Sequence, residues 1–224
     1  MKDLNRRAIL AVIQFVIVLG ILIFLPAWTL WYWQGWAFIA VFGGGVFLIT
    51  LYLIKKDPAL LERRMSAGPT LEPDQKQQLI QTIAAFAFIA LFVVSVLDYT
   101  FDGLVSAYVS ILGDALVGLG LYGIFLTFRA NTYAAGIVGV EAGQTVVSSG
   151  PYAWVRHPMY AFAFIMLVGV PLALGSYWGE IATVVLIAAI IWRLFEEEKT
   201  LVTDLHGYVE YKQKVRSRLI PYIF

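Results

Sequence analysis

Two short clusters in this sequence combine residue types that can bind and orient charged groups. The first is "WVRHPMY", Trp154 to Tyr160, where an arginine, a histidine and a proline stand directly before an apolar run. Proline biases the residue before it toward extended backbone and suits the first position of a helix, so a helix is predicted to start at Pro158 with His157 as its N-cap. The amides of Met159 and Tyr160 then lack partners within the helix and sit at the positive end of its dipole, beside Arg156 and His157. Such a cap can hold an anion. The plainer alternative is that Arg156 reaches out to lipid phosphate and His157 only caps the helix. The second cluster, "WRLFEEEKTL", sets Arg193 and Glu197 on one helix face, with Glu198 about 100° round from Glu197. Taken alone it reads as an interfacial salt bridge followed by a solvated acidic turn. Taken with the first cluster it supplies carboxylates opposite a cationic cap, an arrangement that suits a zwitterionic ligand.

The elements that position these clusters lie in a membrane. Of 224 residues, 60% are hydrophobic, 15% aromatic and only 14% charged, with mean hydropathy +0.79. Soluble domains are closer to half apolar, so the chain reads as an all-α integral membrane protein. A net charge of +1 offers no clustered basic face for nucleic acid. The absence of cysteine excludes disulfides and thiolate metal sites, and with only His157 and His206 available no metal site is expected.

A helix needs about 20 apolar residues to cross the hydrocarbon. Runs of that length fall near Ala8–Leu25, Gly35–Ile54, Leu79–Leu97 and Tyr108–Phe128. Two more follow: one from Pro158, then, after a break at "LGSYWGE", one ending near Phe195. The basic start could belong to a signal peptide, but no small-residue cleavage site follows; "PAWTLWYWQGW" reads instead as an interfacial aromatic belt. The stretch "KKDPALLERRMSAGPTLEPDQKQQ" is expected to be a polar linker, the turn around Asp98 and Asp102 a short acidic connection, and Arg129 to His157 a second polar stretch. "GLGLYG", Gly118 to Gly123, lies mid-membrane and reads as a packing face. Asp114 reads as interfacial. Lysine and arginine occupy the N-terminus, these two polar stretches and the tail, and are absent from the alternate connections. Six crossings, the last two forming a hairpin, with both termini cytoplasmic and an amphipathic cytoplasmic helix at the C-terminus, satisfy that distribution. No internal repeat is visible, so one membrane domain over residues 1–224 is expected.

"GPYAWVRHPMY", followed by "RLFEEEKTL" and "GYVEYKQKV", resembles the isoprenylcysteine carboxyl methyltransferase family of membrane enzymes that use S-adenosylmethionine. The resemblance covers about Arg129 to Phe224, and "QTVVSSGPYAWVRHPMY" with "PLALGSYWG" is similar to a prokaryotic branch of it, implying a prokaryotic inner membrane. It divides the chain into N-terminal helices over 1–106 and a catalytic core over 107–224 with a cytoplasmic active site. The cofactor segment falls on Gln144, Thr145, Val146 and Val147, the motif tyrosine on Tyr152, and the cofactor-holding stretch on His157, Pro158, Met159 and Tyr160. Glu197, with Glu198 beside it, matches the acidic cofactor-binding position, and Arg193 matches the arginine placed at the substrate. The implied acceptor is a lipophilic or prenylated carboxylate that enters from the bilayer, with membrane lipids as the other partners. Arg193 would clamp that carboxylate through its planar fork, with Asn131 orienting the acceptor, although a loop asparagine is commonly a turn residue. After Leu201 the spacing to "GYVEY" departs from the eukaryotic pattern, which bears on the substrate more than on the cofactor. Phospholipid or amine N-methylation, a nicotinamide-dependent membrane sterol or polyprenoid reductase, and a non-enzymatic membrane protein remain as alternatives.

Overall fold

A computed structural model describes residues 2–66, 68, 72, 74–101, 103 and 105–224. Asp102, half of the expected acidic turn, lies outside them. The described elements are helices and turns. Helices α1 (Asp3–Ala27), α2 (Trp33–Lys56), α4 (Gln75–Phe101) and α5 (Ala107–Ala130) run 24 to 27 residues and are apolar enough to cross a bilayer. At about 1.5 Å per residue each exceeds the roughly 30 Å of hydrocarbon. The large side chains they leave exposed, among them Ile13, Ile17, Phe86 and Ile111, are those a lipid-facing surface requires, and exposed Trp28, Trp31 and Trp36 form the expected belt. Within α2, Ile39–Gly43 is π-helical.

Four of the six expected crossings thus meet the test of length and apolarity among the described residues. Helix α6 (Pro158–Ala173) has 16 residues, about 24 Å at the standard rise, and falls short. Helix α7 (Gly179–Asp204) is long enough, but its last turns are charged. It runs past Phe195, where its apolar stretch ends. Lys199 pairs with Glu196 at 2.9 Å one turn back, and the Thr200 and Thr203 hydroxyls bond Glu196 and Lys199 carbonyls, so polar residues continue the helix.

Helices α5 and α6 pack backbone against backbone. A Cβ on Gly113 would fall 2.2 Å from the Ala173 nitrogen, and one on Gly123 would fall 2.1 Å from the Phe162 ring. Gly120 and Gly123 thereby bear out the packing reading of "GLGLYG", whereas Gly118 makes only an ordinary contact with Val41 at 3.8 Å. The α6–α7 turn contains Gly175 at φ +74°, and Asp98 Oδ2 at the end of α4 accepts hydrogen bonds from Ser176 Oγ (2.6 Å) and the Tyr177 and Trp178 amides (3.0 and 3.1 Å). A carboxylate therefore sits at the start of α7, where the dipole favours it. One continuous core, from Leu19 and Phe38 through Phe92 and Val117 to Leu174 and Leu186, joins these helices.

The expected linker after α2 is partly helical. In α3 (Pro58–Met65), Asp57 Oδ1 accepts the Leu60 amide at 3.0 Å, Pro58 opens the helix, and Leu60 and Leu61 are buried. The amphipathic tail helix is short, α8 (Tyr208–Lys214). Beyond it the chain turns back, and the Arg156 and His157 amides bond the Ser217 and Arg218 carbonyls at 3.0 and 2.9 Å.

Candidate active site

The start of α6, the segment 131–147, the charged end of α7 and helix α8 line a partly open cavity. Its lining includes Asn131, Gln144, Thr145, Val146, Val147, Tyr152, His157, Pro158, Met159, Tyr160 and Glu197, so most of the residues singled out in the sequence come together around one cavity. Helix α6 starts at Pro158 with His157 as N-cap and no side-chain cap. No acceptor among the described residues takes the Met159 or Tyr160 amide. Two free N–H groups at the positive end of a helix, beside this cavity, form an anion site.

The cationic cap is built differently from the expected one. Arg156 is buried. Its Nε meets Glu198 Oε1 at 2.7 Å and its Nη1 donates to the carbonyls of Val215 (2.9 Å) and Arg216 (2.5 Å), so it is tied to α7 and the tail and does not reach out to lipid phosphate, while the residue also lines the cavity. Glu198 does not line the cavity; it receives Arg156, His157 Nε2 at 3.3 Å and Arg218 Nε at 2.9 Å. Burial alone would raise its carboxyl, but hydrogen bonds from His157, Arg156 and Arg218 outweigh burial and hold it well below the usual carboxylate range. Glu198 therefore locks α7 to the N-cap of α6 and to the returning tail, from behind the cavity.

Glu197 lies on the cavity side. Its Oε2 accepts the Tyr160 hydroxyl at 2.6 Å, and that hydroxyl accepts Arg193 Nε at 3.3 Å. The direct Arg193–Glu197 ion pair is absent among the described residues, and Tyr160 stands between the two. Arg193 does not line the cavity. Its Nη1 pairs with Glu72 Oε1 at 3.0 Å and contacts Gln77 Oε1 at 3.3 Å, and its Nη2 donates to the Gly136 carbonyl at 2.7 Å. All three nitrogens are engaged, so Arg193 orients Tyr160 and the segment around Gly136, where a clamp on a substrate was expected. Asn131 acts both as turn residue and as support: Oδ1 accepts the Tyr133 amide at 2.9 Å and Nδ2 donates to the Tyr152 hydroxyl at 3.0 Å. Burial pushes the Tyr152 phenol up to about 12.

Several lining residues escaped the sequence reading. Tyr211 donates to the Tyr152 carbonyl at 2.7 Å, fastening α8 over the motif. Tyr208 lines the cavity, and its buried hydroxyl has no partner among the described residues. Burial holds its proton on, leaving a donor for a ligand. Leu201 and Leu205 complete an apolar wall with Val146. The spacing of Tyr208 and Tyr211 on one face of an amphipathic segment was the available signal. No cluster of metal-ligating residues occurs among the described residues.

A family profile described as Phospholipid methyltransferase matches residues 108–207. The protein-S-isoprenylcysteine O-methyltransferase of Schizosaccharomyces pombe is 32% identical over 84 residues, 34% of each chain. Those of Homo sapiens and Mus musculus are 36% and 38% identical over 86 residues, 36% of this chain and 28% and 29% of theirs. The chain spans about a third of the length of the curated relatives it matches. A structure of a eukaryotic intramembrane Ras methyltransferase, isoprenylcysteine carboxyl methyltransferase, superposes with TM-score 0.56 at 22% identity, covering 96% of this chain and 77% of the other, and shows the same fold. The sequence matches fall in the C-terminal half, where the motifs lie, and the structural match extends the likeness in fold to nearly the whole chain.

Proposed function

We propose that the protein is an S-adenosylmethionine-dependent methyltransferase that converts a lipophilic carboxylate of prenylcysteine type into its methyl ester at the membrane. One observation carries the reading: two amides at the start of α6 that have no partner among the described residues border the same cavity as Glu197 and Tyr208. That donor and acceptor set fits a zwitterionic nucleoside. Met159 and Tyr160 amides would take the methionyl carboxylate, Glu197 would accept hydrogen bonds from ribose or amine, Tyr208 would donate, and Val146 and Val147 would flank the base. Gln144, Thr145, Tyr152, His157 and Pro158 complete the wall. When bound, the cofactor supplies an electrophilic methyl group on sulfur.

A carboxylate acceptor brings its own nucleophile. The new C–O bond forms as the S–CH₃ bond breaks, sulfur leaves neutral, and no proton moves. The chain's tasks are therefore alignment and exclusion of water. Arg193 fixes Tyr160, Asn131 fixes Tyr152, and the Arg156–Glu198–Arg218 cluster holds the helix start against α7. An amine acceptor, which the phospholipid methyltransferase profile brings forward, would have to lose a proton. The one histidine at the cavity is turned to Glu198, which favours the carboxylate.

The basic residues at the start of α1, in α3, at the end of α5 and in the tail support an orientation in which α6 and α7 complete six crossings, with both termini and the cavity cytoplasmic. Transfer from methyl-labelled S-adenosylmethionine to a farnesyl thioether carboxylic acid tests the reaction. The ester product releases labelled methanol in mild base. Base-stable label on a lipid amine, with none on the acid, would replace O-methylation by N-methylation.

A further inference from the structure

Of the arginines at the cavity or its border, Arg156 is paired with Glu198 and Arg193 with Glu72, and Arg64 has no carboxylate partner among the described residues. Arg193 has Glu72 at 3.0 Å, whereas Arg64 on α3 has no carboxylate within 4.0 Å among the described residues. Its Nη1 donates to the Ala134 carbonyl at 3.0 Å and touches Met159 Sδ at 3.6 Å, and its guanidinium carbon lies 4.6 Å from the centre of the Phe128 ring. Among the described residues no partner takes its Nε or Nη2. Met159 belongs to the first turn of α6 and lines the cavity, so Arg64 stands at the cavity's border. Its neighbour Arg63 is satisfied elsewhere by Glu141 at 2.5 Å.

On its other side Arg64 ends an open apolar groove of about 350 Å³ between α1, α2 and α5. Val12, Phe15, Phe42, Val46, Ile49 and Ile124 are among its walls, and Arg64 is the one charged residue lining it among the described residues. A groove of this composition closed by a single uncompensated cation is complementary to a long apolar chain that ends in one negative charge. A guanidinium with two free nitrogens can take a carboxylate by its planar fork, and the thioether contact with Met159 brings that carboxylate to the edge of the cavity.

We infer that Arg64 anchors the acceptor's carboxylate and that the α1–α2–α5 groove holds its apolar tail. This deepens the reading above and rests on it for the identity of the reaction. One carboxylate oxygen is held by Arg64 and the other remains the nucleophile, with the bond changes already described. The position expected for Arg193 from the family pattern is thereby filled from the N-terminal half, where the resemblance carries no motif.

The test measures binding without turnover. The detergent-solubilised protein is titrated with a farnesyl thioether carboxylic acid, its methyl ester, a matched farnesyl phosphate and, separately, S-adenosylhomocysteine. Arg64→Gln is expected to weaken the acid by about tenfold or more and to leave the ester and S-adenosylhomocysteine unchanged. Arg64→Lys should keep part of the acid affinity. Val46→Trp, which fills the groove, should weaken acid and ester alike. Parent-like acid binding in Arg64→Gln overturns the inference, as does equal weakening of acid and ester. Preference for the phosphate over the acid overturns the carboxylate assignment. If Arg64→Gln loses S-adenosylhomocysteine as well, its fold is disturbed and Arg64→Lys decides by the same ratio of acid to ester. If the parent binds no S-adenosylhomocysteine yet shows Arg64-dependent acid binding, the methyl-transfer reading fails and the anchor stands.

Discussion

Neighbouring carboxylates on α7 face different partners, and neutralising each should give opposite signatures. Glu198→Gln keeps the side-chain shape but removes the charge shared by Arg156 at 2.7 Å and Arg218 at 2.9 Å. The Arg156 side chain is only 2% exposed and cannot recover water. Breaking a buried pair while leaving its partner charged costs about 3–5 kcal/mol. For a chain of this size about 2–4 °C is lost per kcal/mol, so thermal unfolding should move down by roughly 6–20 °C. Glu210→Gln, on the exposed face of α8, serves as reference and should change stability by about 0.5 kcal/mol or less. Glu197→Gln should behave otherwise. A glutamine oxygen can still accept the Tyr160 hydroxyl, so the fold is kept, while S-adenosylhomocysteine binding weakens by roughly 1.5–3 kcal/mol if a charged hydrogen bond is lost. Scanning calorimetry and titration calorimetry on the same preparations separate the two effects. The pH dependence has a definite sign. Burial raises the Glu198 carboxyl, hydrogen bonds from His157, Arg156 and Arg218 more than offset it, and the folded pKa lies below the ordinary 4.5. Its stabilisation is complete above that ordinary value and is lost as pH falls through the lower folded one. That acid limb should flatten in Glu198→Gln. A midpoint within 2 °C of parent, or an unchanged acid limb, would refute the buried-cluster argument.

Tyr208→Phe removes a hydroxyl that has no partner among the described residues, so stability should hold or rise slightly while S-adenosylhomocysteine affinity falls by about 0.5–1.5 kcal/mol by calorimetry; a loss of stability with unchanged affinity would contradict its role as a ligand donor. Gly123→Ala forces a Cβ to 2.1 Å from the Phe162 ring and should cost about 1–3 kcal/mol in thermal unfolding, whereas Gly118→Ala, with Val41 at 3.8 Å, should be neutral or stabilising. Cysteines placed singly at Asp57, Ser149 and Ser217 should react with an impermeant thiol reagent only from the cytoplasmic side, and one at Tyr177 from the exterior; exterior labelling at Ser149 would reverse the orientation.

The parts of this fold governed by local rules were legible. Pro158 fixed the start of α6 and His157 its cap, because both follow from the steric effect of proline on adjacent backbone. Apolar run length located the four long helices, and the glycines of "GLGLYG" marked a packing face. Asp57 and Pro58 announced α3 in the same way, yet the charge of the surrounding stretch concealed it. Pairings across long sequence distances were not legible. Arg156 meets Glu198 and the Val215 and Arg216 carbonyls only because the tail folds back, and Arg193 meets Glu72 although the two stand far apart in the sequence. A motif states which residues gather at a site; which arginine is already neutralised there depends on such distant partners.

The central claim, a methyl-donor site at the start of α6, is tested most directly by ligand-dependent thermal unfolding of the parent protein with S-adenosylhomocysteine and with NADPH. At about a hundredfold excess over its dissociation constant, a ligand bound only to the folded state adds roughly 2.7 kcal/mol. The account predicts an upward shift with S-adenosylhomocysteine that shrinks in Glu197→Gln, and none with NADPH. A shift with NADPH and none with S-adenosylhomocysteine would contradict it.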